Sequence, residues 1–248
     1  MRLTQAFSGR LCDVLRVPQG LTALVGGGGK TTLMERLARE LAPHGRVLVG
    51  TTTHIFPPAG MPLLLSPTAD QVRRALDASA GRQPVCVGAE GEGGKLVACG
   101  LPAAELLRLS NYVLLEADGA KRLPLKAPAP HEPVIPPEAA LVLAVAGLDG
   151  IGRPILETAF RPERYAALLG RSANDPVTPE DVARVLADAA GQRKGVATGM
   201  RFAIVLNKAD DAARVALAAR VADAIPDGAC EAVVCTSWKK GNTTVCNI

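Results

Sequence analysis

The run Gly26-Gly27-Gly28-Gly29-Lys30-Thr31-Thr32 has the residue types and order needed to hold a phosphate chain. Glycines let backbone N–H groups turn inward onto phosphate oxygens with no side chain in the way. A helix opening at this point adds free N–H groups and the positive end of its dipole. Lys30 would reach the outer phosphates, and the Thr31 hydroxyl would ligate magnesium. Glu116 and Asp118 end an apolar strand and are the candidates for the opposite side of that metal. Asn207-Lys208-Ala209-Asp210 ends a second apolar strand. Asn207, Lys208 and Asp210 are therefore candidates for holding the rest of a nucleotide beside the phosphate loop.

A third group of candidates concerns a second substrate or anion. Thr52, Thr53 and His54 follow another strand and so fall near the phosphate loop. Lys121, Arg122, Lys126 and His131 lie on a proline-rich segment that leaves the Glu116–Asp118 strand end, as an anion-binding lid would. Lys30, Glu116, Asp118 and His54 are the candidates for catalysis.

Regular elements must carry these groups. Residues 21–25 read as a buried strand, and Leu33, Met34, Leu37 and Leu41 mark a helix over 31–42. With a strand at 46–49 this makes a βαβ unit with parallel strands and a right-handed crossover. A leading helix is expected over 4–16 and a capped helix over 68–80. Val85–Val87 and Leu96–Ala98 read as a hairpin, and 102–109 as a short helix. Strands are expected at 112–115, 141–146, 202–206 and 231–235. Helices are expected at 160–170, at 178–190 as part of a small helical insert, and at 211–224. Residues 119–137 hold too many prolines for any regular element. The pattern predicts a three-layer α/β fold with a mostly parallel sheet, a single domain over 1–237 and a polar tail over 238–248 that need not be ordered.

Composition narrows the function. At 248 residues with 48% hydrophobic and 21% charged side chains, the chain is globular. A net charge of +4, without aromatic-basic interleaving, does not point to nucleic acid. No apolar stretch approaches the length of a membrane span. Residues 1–16 lack the apolar core and cleavage site of a signal peptide. Six scattered cysteines without a C-x-x-C pair fit reduced thiols, so the expected location is the cytoplasm.

Several resemblances sharpen this picture. The loop does not fit G-x-x-x-x-G-K-[ST]; the shorter G-x-x-G-K-T-T from Gly26 to Thr32 resembles the ATP loop of Mur peptide ligases. N-K-x-D resembles the guanine-reading motif of GTPases, which implies that Asp210 accepts from guanine N1 and N2, that Asn207 supports the loop and that the Lys208 stem lies along the base, while adenine offers such a carboxylate the wrong donors. Thr236-Ser237 stands where those proteins place a base-supporting loop. The strand ending in Glu-x-Asp-Gly is similar to those of metallochaperone-type GTPases and molybdopterin-guanine dinucleotide accessory proteins. The ordered set V-G-G-G-G-K-T-T, T-T-T-H-I-F-P-P, L-E-A-D-G-A-K-R-L-P-L-K-A-P, H-E-P-V-I-P and L-N-K-A-D resembles the YqeC family over about Leu21 to Asp210. That resemblance implies an accessory role for selenium-dependent molybdenum hydroxylases, with the hydroxylase or its cofactor-maturation proteins as partners, while the glycine loop and the α/β alternation make the expected fold P-loop-NTPase-like. Three functions stay open. One is a Mg2+-dependent factor using GTP, or alternatively ATP, whose hydrolysis switches the proline-rich lid. Another is an ATP-dependent kinase or ligase that activates a small acid or selenium compound. The third is a nucleotide-stabilised scaffold without turnover.

Overall fold

The structure, a computed structural model, describes residues 6–7, 10–79, 82–238 and 244–247. Its elements begin with β1 (Ala6–Phe7), α1 (Leu11–Val14), β2 (Gly20–Gly26), α2 (Lys30–Leu41), β3 (Val47–Thr51), β4 (Leu63–Leu65) and α3 (Ala69–Ala78). Next come β5 (Val85–Glu90), β6 (Leu96–Val97), α4 (Ala103–Leu109), β7 (Tyr112–Glu116), β8 (Leu125–Lys126) and β9 (Ala139–Gly147). The remainder is α5 (Ile155–Thr158), β10 (Ala159–Phe160), α6 (Pro162–Leu169), α7 (Pro179–Ala187), β11 (Arg201–Asn207), α8 (Ala212–Ala224), β12 (Ala232–Ser237) and β13 (Thr244–Asn247).

Eleven strands form one sheet in the order β1-β13-β12-β11-β9-β2-β7-β3-β5-β4, with β6 added to β5. From β12 to β4 every neighbour is parallel. The antiparallel pairs involve β6, β13 and β1. Strand β2 sits inside the sheet, with β9 and β11 on one side and β7 and β3 on the other. The loop after β2 is therefore flanked by the carboxyl ends of strands on both sides, the usual ligand position in open α/β sheets.

Strand periodicity divides the core. On β9, Val142, Ala144 and Ala146 face one side, while Leu141, Leu143 and Val145 face the other. The second side packs against Leu33, Met34, Leu37 and Leu41 of α2 and against Leu11 and Leu15. The first is covered by α3, α4, α6, α7 and α8 through residues such as Leu76, Leu109, Tyr165, Leu186 and Val221. Both faces are thus helix-covered, which gives the three layers that a nearly continuous apolar strand requires. Each leucine fully buried in this way contributes about 1.5–3 kcal/mol. Helices α3 and α7 both start with a capping box, on Thr68 with Gln71 and on Thr178 with Asp181.

Several elements differ from the sequence-based expectation. The leading helix shrinks to Leu11–Val14, because Ala6–Phe7 pairs with β13 instead. Strand pairing there outweighs a weak helical preference. Residues 4–5 and 8–9 of that expected helix lie outside the described residues. In the proline-rich segment, Leu125–Lys126 forms a strand parallel to Ala159–Phe160. These residues sit between Pro124 and Pro128 and keep their N–H groups, so a short ladder survives. Strand β4 was not expected. Its three leucines are too short a run to show a period, and only pairing with β5 defines it. Within the tail, Thr244–Asn247 pairs with β12, so this part is strand rather than disordered. Helices α6 and α7 join the main core rather than standing apart as an insert. Among the described residues no helix is long and apolar enough to cross a membrane.

Candidate functional site

Strand β2 ends at Gly26 and α2 starts at Lys30, so the glycine turn lies over the centre of the sheet. Gly26 and Gly28 have φ of +99° and +73°. A Cβ at Gly26 would lie 2.3 Å from the Val145 oxygen, and one at Gly28 would lie 2.2 Å from the Gly147 nitrogen. Glycine is required at both by conformation and by space. Their amides do not face a ligand, however. Gly26 N donates to Asp118, Gly27 N to Val145 O at 2.9 Å and Gly28 N to Leu123 O at 3.0 Å. This corrects the expectation that the glycine amides turn inward onto phosphate for Gly26, Gly27 and Gly28, which neighbouring chain segments take first. The helix supplies the open donors instead. Helix α2 begins without a side-chain cap, so the N–H groups of Lys30, Thr31 and Thr32 have no partner down the helix.

Beside the loop, β7 delivers the two acids to different tasks. Thr31 Oγ1 donates to Glu116 Oε2 at 2.9 Å. Asp118 is fully buried, and both its oxygens lie 3.1 Å from Gly26 N. Its Oδ1 is 3.1 Å from Lys30 Nζ and its Oδ2 is 2.9 Å from Lys126 Nζ. Asp118 is thus a clamp on the loop, and of the two acids Glu116 is the one that meets Thr31 and lines the cavity. Lys30 is itself buried, donates to Gly26 O and lies 3.4 Å from Glu116. Burial works against its charge, but Asp118 and Glu116 outweigh it and raise its pKa.

The charge pattern continues into the lid. Lys126 Nζ reaches Glu132 Oε2 at 2.8 Å, and Arg161 holds the same carboxylate through two nitrogens at 2.7 and 3.1 Å. A row of alternating charges, Lys30, Asp118, Lys126, Glu132 and Arg161, therefore runs from the loop to the lid. Burial opposes ionisation of Glu132, yet Arg161 and Lys126 hold its pKa down at about 2. Lys126 is lowered, by burial first, against the pull of Asp118 and Glu132. It is therefore not the open lid cation that the sequence suggested. Packing under the lid buries it between two carboxylates.

On the other side of the loop, β11 delivers the N-K-x-D group. Asn207 Nδ2 donates to Gly28 O at 2.7 Å, and its Oδ1 accepts from Lys208 N and from Thr236 Oγ1. Asp210 Oδ1 accepts from Ser237 at 2.7 Å and Oδ2 from Arg214 at 3.0 Å. Lys208 Nζ pairs with Asp149 Oδ2 at 2.6 Å. Lys208 reaches the cavity wall, whereas Asn207 and Asp210 lie behind it.

A cavity of about 630 Å3 opens above the loop, lined by Gly28–Thr32, Thr53–Phe56, Glu116 and 119–123, with Lys95, Glu132, Phe160, Arg161 and Lys208. It gathers Lys30, Thr31, Thr32, Thr53, His54, Glu116, Lys121 and Arg122 from the expected site. Gly26, Gly27, Thr52, Asp118, Lys126 and His131 are not on its wall. Thr52 donates to Val134 O, and His131 is exposed outside it. Lys121, Arg122, Arg161 and Lys208 line this cavity in the left-handed conformation, with φ between 46° and 66°. Side chains other than glycine lose about 1–3 kcal/mol each there, and such strain gathers at ligand clamps. Sequence reading missed Phe56, Lys95, Asp149, Glu132, Phe160 and Arg161. Glu132 had a signal in the H-E-P-V-I-P segment, and Asp149 one in its place after a strand; Arg161 had none.

A mostly parallel three-layer sheet with a glycine loop and lysine at the start of the following helix defines an α/β protein of P-loop-like fold. The YqeC protein family model matches residues 22–163, and the chain belongs to that family. It is 31% identical over 195 residues to the uncharacterized protein YqeC of Escherichia coli (strain K12), with 75% of each chain covered. No solved structure matches it.

Proposed function

We propose that this chain binds a magnesium nucleotide, GTP in preference to ATP, and acts as an accessory factor in maturing selenium-dependent molybdenum hydroxylases. The observation that carries the reading is the meeting of two strand ends on one glycine loop and the helix start after it: Glu116 with Thr31 and Asp118 with Gly26 from β7, and Asn207 with Gly28 from β11. The Thr31 hydroxyl and Glu116 carboxylate are hard oxygen donors that fit magnesium, which takes few protein ligands and completes its shell with phosphates and water. Among the described residues no larger acidic or His/Cys cluster competes for a metal. Bound magnesium would draw charge from the outer phosphates. Lys30 would exchange Gly26 O for a phosphate oxygen, and the open N–H groups of α2 would hold the others. Asn207 keeps the loop in place, and Asp210 would accept from guanine once Arg214 releases one of its oxygens, with Ser237 still holding the other. Leu123 of the lid accepts from Gly28 N, so a change in the phosphates can reach the lid directly. That link supports hydrolysis as a switch of the lid.

Calorimetry of the purified protein with GTP and ATP, with and without magnesium, tests this reading. A lost charged hydrogen bond is worth about 1.5–3 kcal/mol, so GTP should bind at least about tenfold more tightly, and only with magnesium. Equal affinity or a preference for ATP would move an ATP-dependent kinase or ligase ahead.

A further inference from the structure

Six cations line the cavity, and they differ in how they are compensated. Lys30, Arg161 and Lys208 pair with Asp118, Glu132 and Asp149, whereas Lys95, Lys121 and Arg122 have no carboxylate partner among the described residues. Magnesium neutralises half of a triphosphate's charge, so a bound nucleotide leaves cationic wall uncompensated. The strand order says where. The loop follows β2 at the centre, the base-reading group follows β11 on one side, and Thr53–Phe56 follow β3 on the other. A nucleotide running from the loop toward β11 leaves the β3 side vacant.

We propose that this β3 side is a second anion site, which takes a small organic acid bearing a carboxylate or phosphate while the nucleotide occupies the loop. The proposal rests on the nucleotide reading for its orientation. Lys95 and Arg122, both over Phe56, build the site, and Lys121, over Phe160 of β10, borders it. Among the described residues none of them has a carboxylate partner, unlike Arg161 on Glu132 and Lys208 on Asp149. Aromatic faces position them instead. Arg122 and Lys95 lie 5.0 and 5.6 Å from the centre of Phe56, and Lys121 lies 5.4 Å from that of Phe160. A ring face orients a cation but does not cancel its charge, so the full attraction for an anion remains. Lys121 and Arg122 are also consecutive left-handed residues at the cavity wall. Thr53 and His54 add polar groups to the same end, and Glu116 and Thr31 close it toward the loop. An acid bound there lies beside the outer phosphate end of the nucleotide.

The test uses the full chain loaded with magnesium and a non-hydrolysable GTP analogue. Citrate serves as the carboxylate probe and inorganic phosphate as the phosphate probe, each followed by calorimetry. At least one should bind the loaded protein, and the better binder identifies the anionic group. Lys121→Ala with Arg122→Ala should weaken that probe by about tenfold or more, as loss of two charge-assisted contacts does. Affinity for the analogue should change far less. Lys95→Gln should weaken the probe alone, to a smaller extent. If neither probe binds, or if the double variant binds it like wild type, the site is overturned. A comparable loss of analogue affinity would assign these cations to the triphosphate and also overturn it. If the analogue itself does not bind, the nucleotide reading fails. The same titrations on nucleotide-free wild type and double variant then still decide the anion site.

Discussion

Two strand ends grip the glycine loop from opposite sides and use opposite chemistry. On the β7 side the grip is ionic: Asp118 holds Gly26 N and Lys30, and Lys126, Glu132 and Arg161 extend the charges to the lid. On the β11 side the grip is neutral: the Asn207 amide holds Gly28 O and is braced by Thr236. An ionic grip responds to pH and to any charge that enters the cavity. An amide grip responds to neither. The loop is therefore anchored steadily on the base-reading side and adjustably on the lid side, where the lid segment also accepts from Gly28 N.

The contrast can be broken most severely at Asp118. Asp118→Asn keeps the shape but leaves Lys30 and Lys126 without the carboxylate between them. Removing one partner of a buried ion pair costs about 3–5 kcal/mol, so chemical denaturation should show a loss of that size. A loss no greater than that of an Asn207 variant would erase the distinction between the two grips.

Acid should reveal the next largest effect, and on one side only. Glu132 is held at about 2, below its ordinary 4.5. Its contribution to stability is full above the unfolded value of 4.5, declines as pH falls, and is gone once pH passes below about 2. The shift corresponds to at most about 3 kcal/mol, and solvent screening reduces that. Stability measured from pH 6 down to 2 should therefore fall more steeply in wild type than in Glu132→Gln. Parallel curves would show that the lid charges do not stabilise the fold.

The smallest of the three effects belongs to the amide. Asn207→Ala should cost about 1–3 kcal/mol, the penalty for leaving Gly28 O and the Lys208 amide without their partner. Because an amide does not titrate, the difference from wild type should be the same at pH 4 and pH 7. A pH-dependent difference would mean that Asn207 acts through the charges of the other side.

Much of the fold was legible because burial imposes short periods on sequence. Leu33, Met34, Leu37 and Leu41 repeat at helical spacing and do form α2. Apolar runs at 112–115, 141–146 and 202–206 are strands because both faces of each are helix-covered. Capping chemistry at Thr68 and Thr178 is equally local. The meeting of Lys30, Thr31 and Glu116 also followed from sequence, since strand ends and helix starts in a parallel sheet share one edge.

Local pattern could not show which charged groups would be buried. Lys126 looks like a solvated lid residue, and only the pairing of β8 with β10 brings it between Asp118 and Glu132. Lys30 looks free to reach a ligand, but Asp118 lies 88 positions along the chain and closes over it (118 against 30). Phe160 ends β10 and Arg161 follows it, and both enter the cavity wall only through the tertiary fold. By itself the sequence determined the α/β alternation, the glycine loop and the acids and amide that end its neighbouring strands, because these obey spacing rules within one element. The tertiary structure alone decided which of those groups face the cavity and which are locked in ion pairs. Electrostatic pairing depends on distance in space, and residues far apart in the chain carry no shared periodicity to announce it.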